Sequence, residues 1–307
     1  MRLVISSILL AAAACGGDSG PDTIREDLPP VASDATRLVS PTFNVPAGKE
    51  VFECMRFPAD TSQDMYINAS EAYQVTGGHH SMLYYSDKPT GGDEPHECND
   101  ADMGNIRFIG VGTADGIGIK LPDGVALKIP KGVKIYTQSH YLNASDEDVV
   151  AQDVVDLHKL PLENVQMVAG AFTEVDLGLE LQPGVDTTRV IDCNMPRAAM
   201  TIPWAIPHMH ELGMNFKLEL IHEGQPTQTL YESEWSKTLR DHFPLIEFSP
   251  FLQLSTADRI RTTCTWHNTD ATPRLFPHEM CATFMPFFPS SDGALLACDE
   301  NGNQFNP

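Results

Sequence analysis

Positive charge is scarce in this chain. Its 307 residues carry 20 Lys and Arg against 42 Asp and Glu, a formal charge of −22. No basic patch or Lys/Arg run occurs. Phosphate binding draws on clustered cations, so a nucleic-acid surface is excluded. The acidic excess instead keeps the surface soluble. No C-x-x-C pair is present, which argues against a zinc ribbon or a thioredoxin-type motif. No segment sustains a 3.6-residue apolar period beyond a turn or two, and there is no internal repeat.

What is present reads as strand. Short alternating or β-branched runs recur: "EVFECMRF", "SMLYYS", "GVKIYTQSHYLN", "QDVVDLHKL", "TRVIDCNM", "NFKLELIHE", "RIRTTCTWHN" and "CATFMPFFP". Gly, Pro, Asn and Asp separate them. The pattern predicts an all-β chain of β-sandwich architecture. The length allows two ordinary domains or one large all-β domain. A boundary near "LHKLPLENVQ" divides residues 38–162 from residues 163–307.

The start of the chain reads as a targeting segment. "MRLVISSILLAAAAC" has one arginine and an apolar run, Leu3 to Ala14, too short to span a bilayer. The small residues Ala12, Ala13 and Ala14 before Cys15 resemble a bacterial lipobox. That resemblance implies cleavage after residue 14, lipidation of Cys15 and a place in the bacterial envelope, at the outer membrane. The membrane would be met only through this lipid. Residues 16–37, rich in Gly, Pro, Ser and Asp, read as a flexible tether. Beyond Cys15 stand six cysteines, Cys54, Cys98, Cys193, Cys264, Cys281 and Cys298. In an exported chain an even number points to disulfides, with 15 possible connectivities.

Eleven histidines supply the chemistry. His96, His158, His222, His242 and His267 stand alone and read as surface or satisfied core residues. His208 and His210 in "PHMHELG" lie two apart, so on a strand both rings share one face, as a metal requires. His79 and His80 follow Gly77 and Gly78 in "TGGHHSMLYY". Adjacent strand residues diverge, so one site for both needs a bend or bulge at the glycines. His140, ending "GVKIYTQSH", is a natural third ligand for that pair. Met280 in "FPHEMCATF" offers a soft thioether, which suits Cu(I) better than zinc. His278, two residues earlier, is a rival ligand or a group that supports one.

Together "HHSMLYY", "QSHY", "HMHELG" and "HEMC" occur in the order seen in the copper type II, ascorbate-dependent monooxygenases. That family includes the peptidylglycine α-hydroxylating and dopamine β-monooxygenases, and the chain resembles it from about residue 40 onward. The resemblance implies two tandem antiparallel, jelly-roll-like β-sandwich domains with one copper on each. His79, His80 and His140 would hold an electron-relaying copper. His208, His210 and Met280 would hold the copper at which O2 and a small-molecule substrate react, with ascorbate or an equivalent as electron donor. It also implies the pairings Cys54–Cys98, Cys193–Cys298 and Cys264–Cys281. Gln138 is retained. The substrate pocket differs: an arginine of the peptide-amidating members is Ile206 here, and an asparagine and a tyrosine are Ala282 and Phe284. Losing a cation and two polar groups argues against a peptide carboxylate and for an apolar or aromatic small molecule. Tyr141, beside His140, could offer a phenol only at the first copper. A non-catalytic copper-binding protein for storage, delivery or sensing is the alternative on the same scaffold.

Overall fold

The computed structural model describes residues 24–305, apart from residues 60, 87–90, 100, 103–105, 114, 115, 117, 292 and 294. Residues 1–23, with the lipobox and Cys15, therefore lie outside the described residues. The chain is all-β, and its described residues hold a single α-helix of one turn, Lys237–Asp241.

One long sheet runs through both halves of the chain. Its order is Ala35–Val39, Asp153–Lys159, Met65–Gln74, Val125–Ile129, Met167–Val175, Ala282–Phe287, Met200–His208 and Ile246–Leu254. The halves join where Met167–Ala169 pairs in parallel with Val125–Leu127. Most other ladders are antiparallel. Two smaller sheets complete the sandwiches. In the first half His96–Glu97, Glu50–Arg56, Lys134–Leu142, Gly78–Ser86 and Ile106–Thr113 form a five-stranded sheet. In the second half Asp186–Asn194, Asp258–His267, Gly213–His222 and Gln228–Glu234 form a four-stranded one. The predicted division near residue 162 falls at a short 3-10 turn, Leu162–Asn164, between the last strand of one half and the first of the next.

Each sandwich has its own core. Ile67, Ala72, Val155 and Leu157 of the long sheet meet Leu83, Tyr85, Ile109 and Ile135 of the five-stranded sheet. Phe172, Ile202, Met285 and Phe287 meet Ile191, Phe216, Ile260 and Trp266 in the second half. A third cluster lies between the halves. There Tyr84, Phe108 and Tyr136 pack against Ala169, Ala171, Trp204 and Ile206. The five-stranded sheet is thus covered on both faces. Side chains alternate across a strand, so Leu83 and Tyr85 point into the first core while His80, Met82 and Tyr84 face the second half. Trp204 ties the halves, its Nε1–H donating to the Lys120 carbonyl at 2.9 Å.

The three disulfides are Cys54–Cys98, Cys193–Cys298 and Cys264–Cys281, with Cα separations of 4.9, 6.2 and 5.9 Å. These are the pairs the family resemblance implies, and each stays within one half. Such bonds belong to an exported chain that folds in an oxidising compartment. The tether is shorter than expected. Ala35–Arg37 already pairs with Asp156–His158. Upstream, the Ile24 N–H reaches Gln152 Oε1 at 3.0 Å and the Arg25 guanidinium reaches the Gln74 carbonyl at 2.7 Å. Composition registers the prolines and acids of this segment. It does not register the edge strand and side chains that receive it.

Glu174 is an ionisable group in the second core. It is fully buried, accepts the Thr262 hydroxyl at 2.5 Å, and its other oxygen has no partner. Burial raises its pKa to about 8, so the native carboxyl is protonated near neutrality. The unfolded chain ionises near 4.5, so this group's favourable contribution is complete below 4.5 and is lost as pH climbs through about 8. Glu174→Gln should flatten that dependence. Relative to the wild type, the variant should gain roughly 3–5 kcal/mol between pH 4 and pH 9, read by chemical denaturation at each pH. Parallel curves would contradict it.

Candidate metal centre and apolar chamber

The opening pair is brought together by a bulge. In the ladder to Lys134–Leu142, Gly78 lies opposite Tyr141 and His80 opposite His140, so one residue, His79, is extra. Such a bulge turns successive side chains toward one side. Gly77 makes the approach possible: its φ is +90°, and a Cβ there would sit 3.0 Å from the Leu142 carbonyl oxygen. The His79 and His80 rings lie 4.6 and 5.0 Å from the His140 ring. The predicted irregularity at the glycines is present and has the predicted effect.

Below the bulge a buried carboxylate holds the two strands. Asp153 accepts hydrogen bonds from the Ser81 and Ser139 hydroxyls, which are neighbours in the same ladder. It also accepts from Gln74 Nε2 and from the Tyr141 hydroxyl, each at 3.0 Å. Burial raises its pKa against the pull of these donors. Ser81 adjoins His80 and Ser139 adjoins His140, so Asp153 fixes the spacing of the two histidines. Tyr141 is thereby committed to a separate buried cluster with Phe43, Val45, Met55 and Ala151, on the strand face opposite His140.

His208 ends the Met200–His208 strand opposite Ala282, and His210 follows it. Glu279 shapes that turn. Its buried carboxylate accepts the N–H of His210 at 2.6 Å, of Leu212 at 2.8 Å and of Met280 at 3.2 Å. Burial lifts its pKa to about 7, opposed by these N–H groups. The imidazoles of His208 and His210 meet with their Nε2 atoms 2.9 Å apart.

The two histidine sets adjoin. His80 and His208 rings are 5.0 Å apart, and His140 and His210 rings 5.2 Å. The ligand atoms of His80, His208 and His210 lie within 4.8 Å of one another. The expectation of one separate site on each half is met in the origin of the donors and not in their spacing. The outer face of the five-stranded sheet abuts the second half, so the sets share one junction. Phe52 stacks on His140 at 4.1 Å and on His210 at 5.7 Å.

The donor chemistry fits a metal. Burial, with repulsion from neighbouring histidines, drives the pKa values of His80, His140 and His208 well below 6.5, and that of His210 to about 4. All four are neutral imidazoles at pH 7, the form that coordinates. His140 Nε2 is 3.0 Å from Glu50 Oε1 and His210 Nδ1 is 3.2 Å from the His278 carbonyl. Each nitrogen donates its proton there, which leaves Nδ1 of His140 and Nε2 of His210 as the lone-pair nitrogens. The buried Nδ1 atoms of His80 and His140 have no hydrogen-bond partner. Buried polar atoms without partners are rare, and a metal ion satisfies them.

Met280 lines the same cavity as His80, His208 and His210, whereas the His278 side chain is exposed. The His278 carbonyl accepts from His210, and its ring lies 5.6 Å from that of Phe52. The cavity, about 370 Å3, lies between the halves. Ile206 and Phe284 line it as expected, and Gln138 lines it too. Ala282 does not: it is fully buried in the ladder beside His208. The lone histidines found no common site. His96, His158, His222 and His267 pair instead with Asp102, Asp34, Asp258 and Asp186. Glu50, Phe52 and Asp153 carry no local sequence signal and were missed. Glu279 was missed as well, though its place inside "HEMC", between two candidate ligands, was a signal that could have found it.

No family model and no curated protein matches the sequence. Among solved structures, the chain is similar to a Broad Bean Stain Virus structure at 9% identity, covering 92% of this chain and 94% of that one, with a TM-score of 0.36. A triple jelly-roll archaeal virus protein aligns at 9% identity over 81% of this chain and 59% of that one, TM-score 0.21. A putative α-L-fucosidase from Bacteroides ovatus aligns at 9% over 80% and 39%, TM-score 0.19. At these scores the likeness supports no statement about function, and the sandwich is read from strand pairing itself.

Removing the Asp153 carboxylate should cost more than a surface substitution. Asp153→Ala leaves several buried donors unsatisfied and should lower unfolding free energy by about 2–4 kcal/mol, measured in denaturant. A loss under about 1 kcal/mol would mean that Asp153 does not pin the histidine strands.

Proposed function

We propose that the chain is a copper-dependent monooxygenase of the bacterial envelope that hydroxylates a C–H bond of a small organic molecule. The observation that carries this reading is the convergence of buried, neutral imidazoles on an apolar cavity that Met280 also lines. His79, His80 and His140 would hold one copper, and His208, His210 and Met280 a second. Bound there, copper supplies the one-electron redox chemistry and the O2 activation that amino-acid side chains lack. A thioether among the donors favours Cu(I), and imidazoles serve both oxidation states. The overall reaction converts R–H, O2, two electrons and two protons to R–OH and water. An ascorbate-class enediol supplies the electrons.

The chain's own residues hold the donors still and keep water out. Glu50 and the His278 carbonyl fix which nitrogen of His140 and His210 stays unprotonated. Asp153 sets the spacing of the His80 and His140 strands, and Glu279 sets the His210 turn. Phe52 covers His140 and His210 on their ring faces. No side chain is assigned as general acid or base. Cys15, by its lipobox, would tether the protein to the outer membrane.

Protein loaded with two equivalents of Cu(II), then given ascorbate and O2, should consume oxygen in a substrate-dependent way across a panel of benzylic and aliphatic compounds. His208→Ala should lower that uptake by at least 100-fold. Two bound coppers with no substrate-dependent uptake would favour the storage or delivery protein instead.

A further inference from the structure

The cavity's wall follows directly from strand alternation. His80 and Met82, His140 and Gln138, and His208 and Ile206 are pairs two residues apart, so each histidine shares a face with its wall residue. Phe52, Phe108, Phe243, Phe276, Phe284 and Phe305 also line it. Phe108 and Phe284, one from each half, stand 6.4 Å apart with planes at 17°, and Phe284 lies 6.2 Å from the His208 ring. Leu177, 45% exposed, marks the rim.

Charge is missing from this wall among the described residues. One residue in five of the chain is Asp, Glu, Lys or Arg, yet no described lining side chain is. Among the described residues the polar ones besides the histidines are Asn99, Gln138 and Thr173. A carboxylate or ammonium entering here would lose its water and find no counter-ion, a penalty of several kcal/mol. A neutral ring would lose little and would meet aromatic edges and faces. At about 370 Å3 the cavity lies at the small end of ligand pockets. That size holds a mono- or bicyclic molecule and not a peptide.

We propose that this chamber selects an uncharged aromatic substrate of one or two rings, carrying at most a hydroxyl or carbonyl that Asn99, Gln138 or Thr173 can meet. The assignment rests on the hydroxylase reading for the reaction, and on the chamber alone for binding. It places a ring C–H, or the benzylic C–H of an alkyl substituent, beside His208 and Met280.

Binding is measured on the metal-free protein by calorimetry and by saturation-transfer NMR, with naphthalene, 2-naphthoate and 2-naphthylmethylammonium as probes. Naphthalene should bind saturably, and both ions at least tenfold more weakly. Ile206→Arg should weaken naphthalene at least tenfold and reverse the order in favour of 2-naphthoate. Should that variant fail to fold, Val111→Phe, at a half-buried wall position, should weaken naphthalene by narrowing the chamber. Equal or tighter binding of 2-naphthoate by the unmutated protein, or no saturable binding of naphthalene, overturns the proposal. Copper stoichiometry of the same preparation separates the two readings. Two coppers without naphthalene binding remove the substrate class alone, and naphthalene binding without copper removes the hydroxylase alone.

Discussion

Everything at the centre of this molecule depends on the second face of the five-stranded sheet. A sandwich sheet ordinarily buries one face and wets the other. Here the face that would be wet is covered by the second half through Tyr84, Phe108, Tyr136, Trp204 and Ile206. That contact dries the histidines and sets the two ligand sets side by side. It also closes the apolar cavity. Without it His80 and His140 would be solvated side chains with ordinary pKa values, and His208 would face water. The parallel pairing of Met167–Ala169 with Val125–Leu127, and the Trp204 bond to Lys120, keep the halves in place.

Covering that face has an electrostatic consequence. Several imidazoles within ring-contact distance in a dry junction cannot share positive charge, so protonation is driven down. The protein answers with acceptors behind the rings: Glu50 behind His140, and the His278 carbonyl behind His210. Carboxylates do the mechanical work as well. Asp153 and Glu279 occupy corresponding roles in the two halves, each buried beside a histidine pair and each gathering several donors. In a chain with so large an acidic excess, these few buried acids are the ones whose removal the site would feel.

Local pattern carried much of this. Strand alternation and turn residues made the all-β sandwich readable, and the adjacent His79 and His80 demanded the bulge that Gly77 allows. Motif order made the disulfides readable through the family resemblance. Spacing between the sets was not readable, because it depends on how two sheets meet, and no local period encodes that. Glu50 and Asp153 lie 90 and 14 residues from the partners they serve, His140 and Ser139. Ala282 misled for the opposite reason: its motif position is near the site, but it is fully buried beside His208 and is not part of the cavity wall.

The central claim is that imidazoles from both halves, with one thioether, bind copper at the end of the cavity. X-ray absorption on the Cu(I)-loaded protein, with metal counted per chain, tests it most directly. The account predicts two coppers per chain, a first shell dominated by imidazole nitrogen, and one sulfur scatterer that disappears in Met280→Ala while histidine ligation persists. Fewer than two coppers in the unmutated protein, or a sulfur signal that survives Met280→Ala, would contradict it.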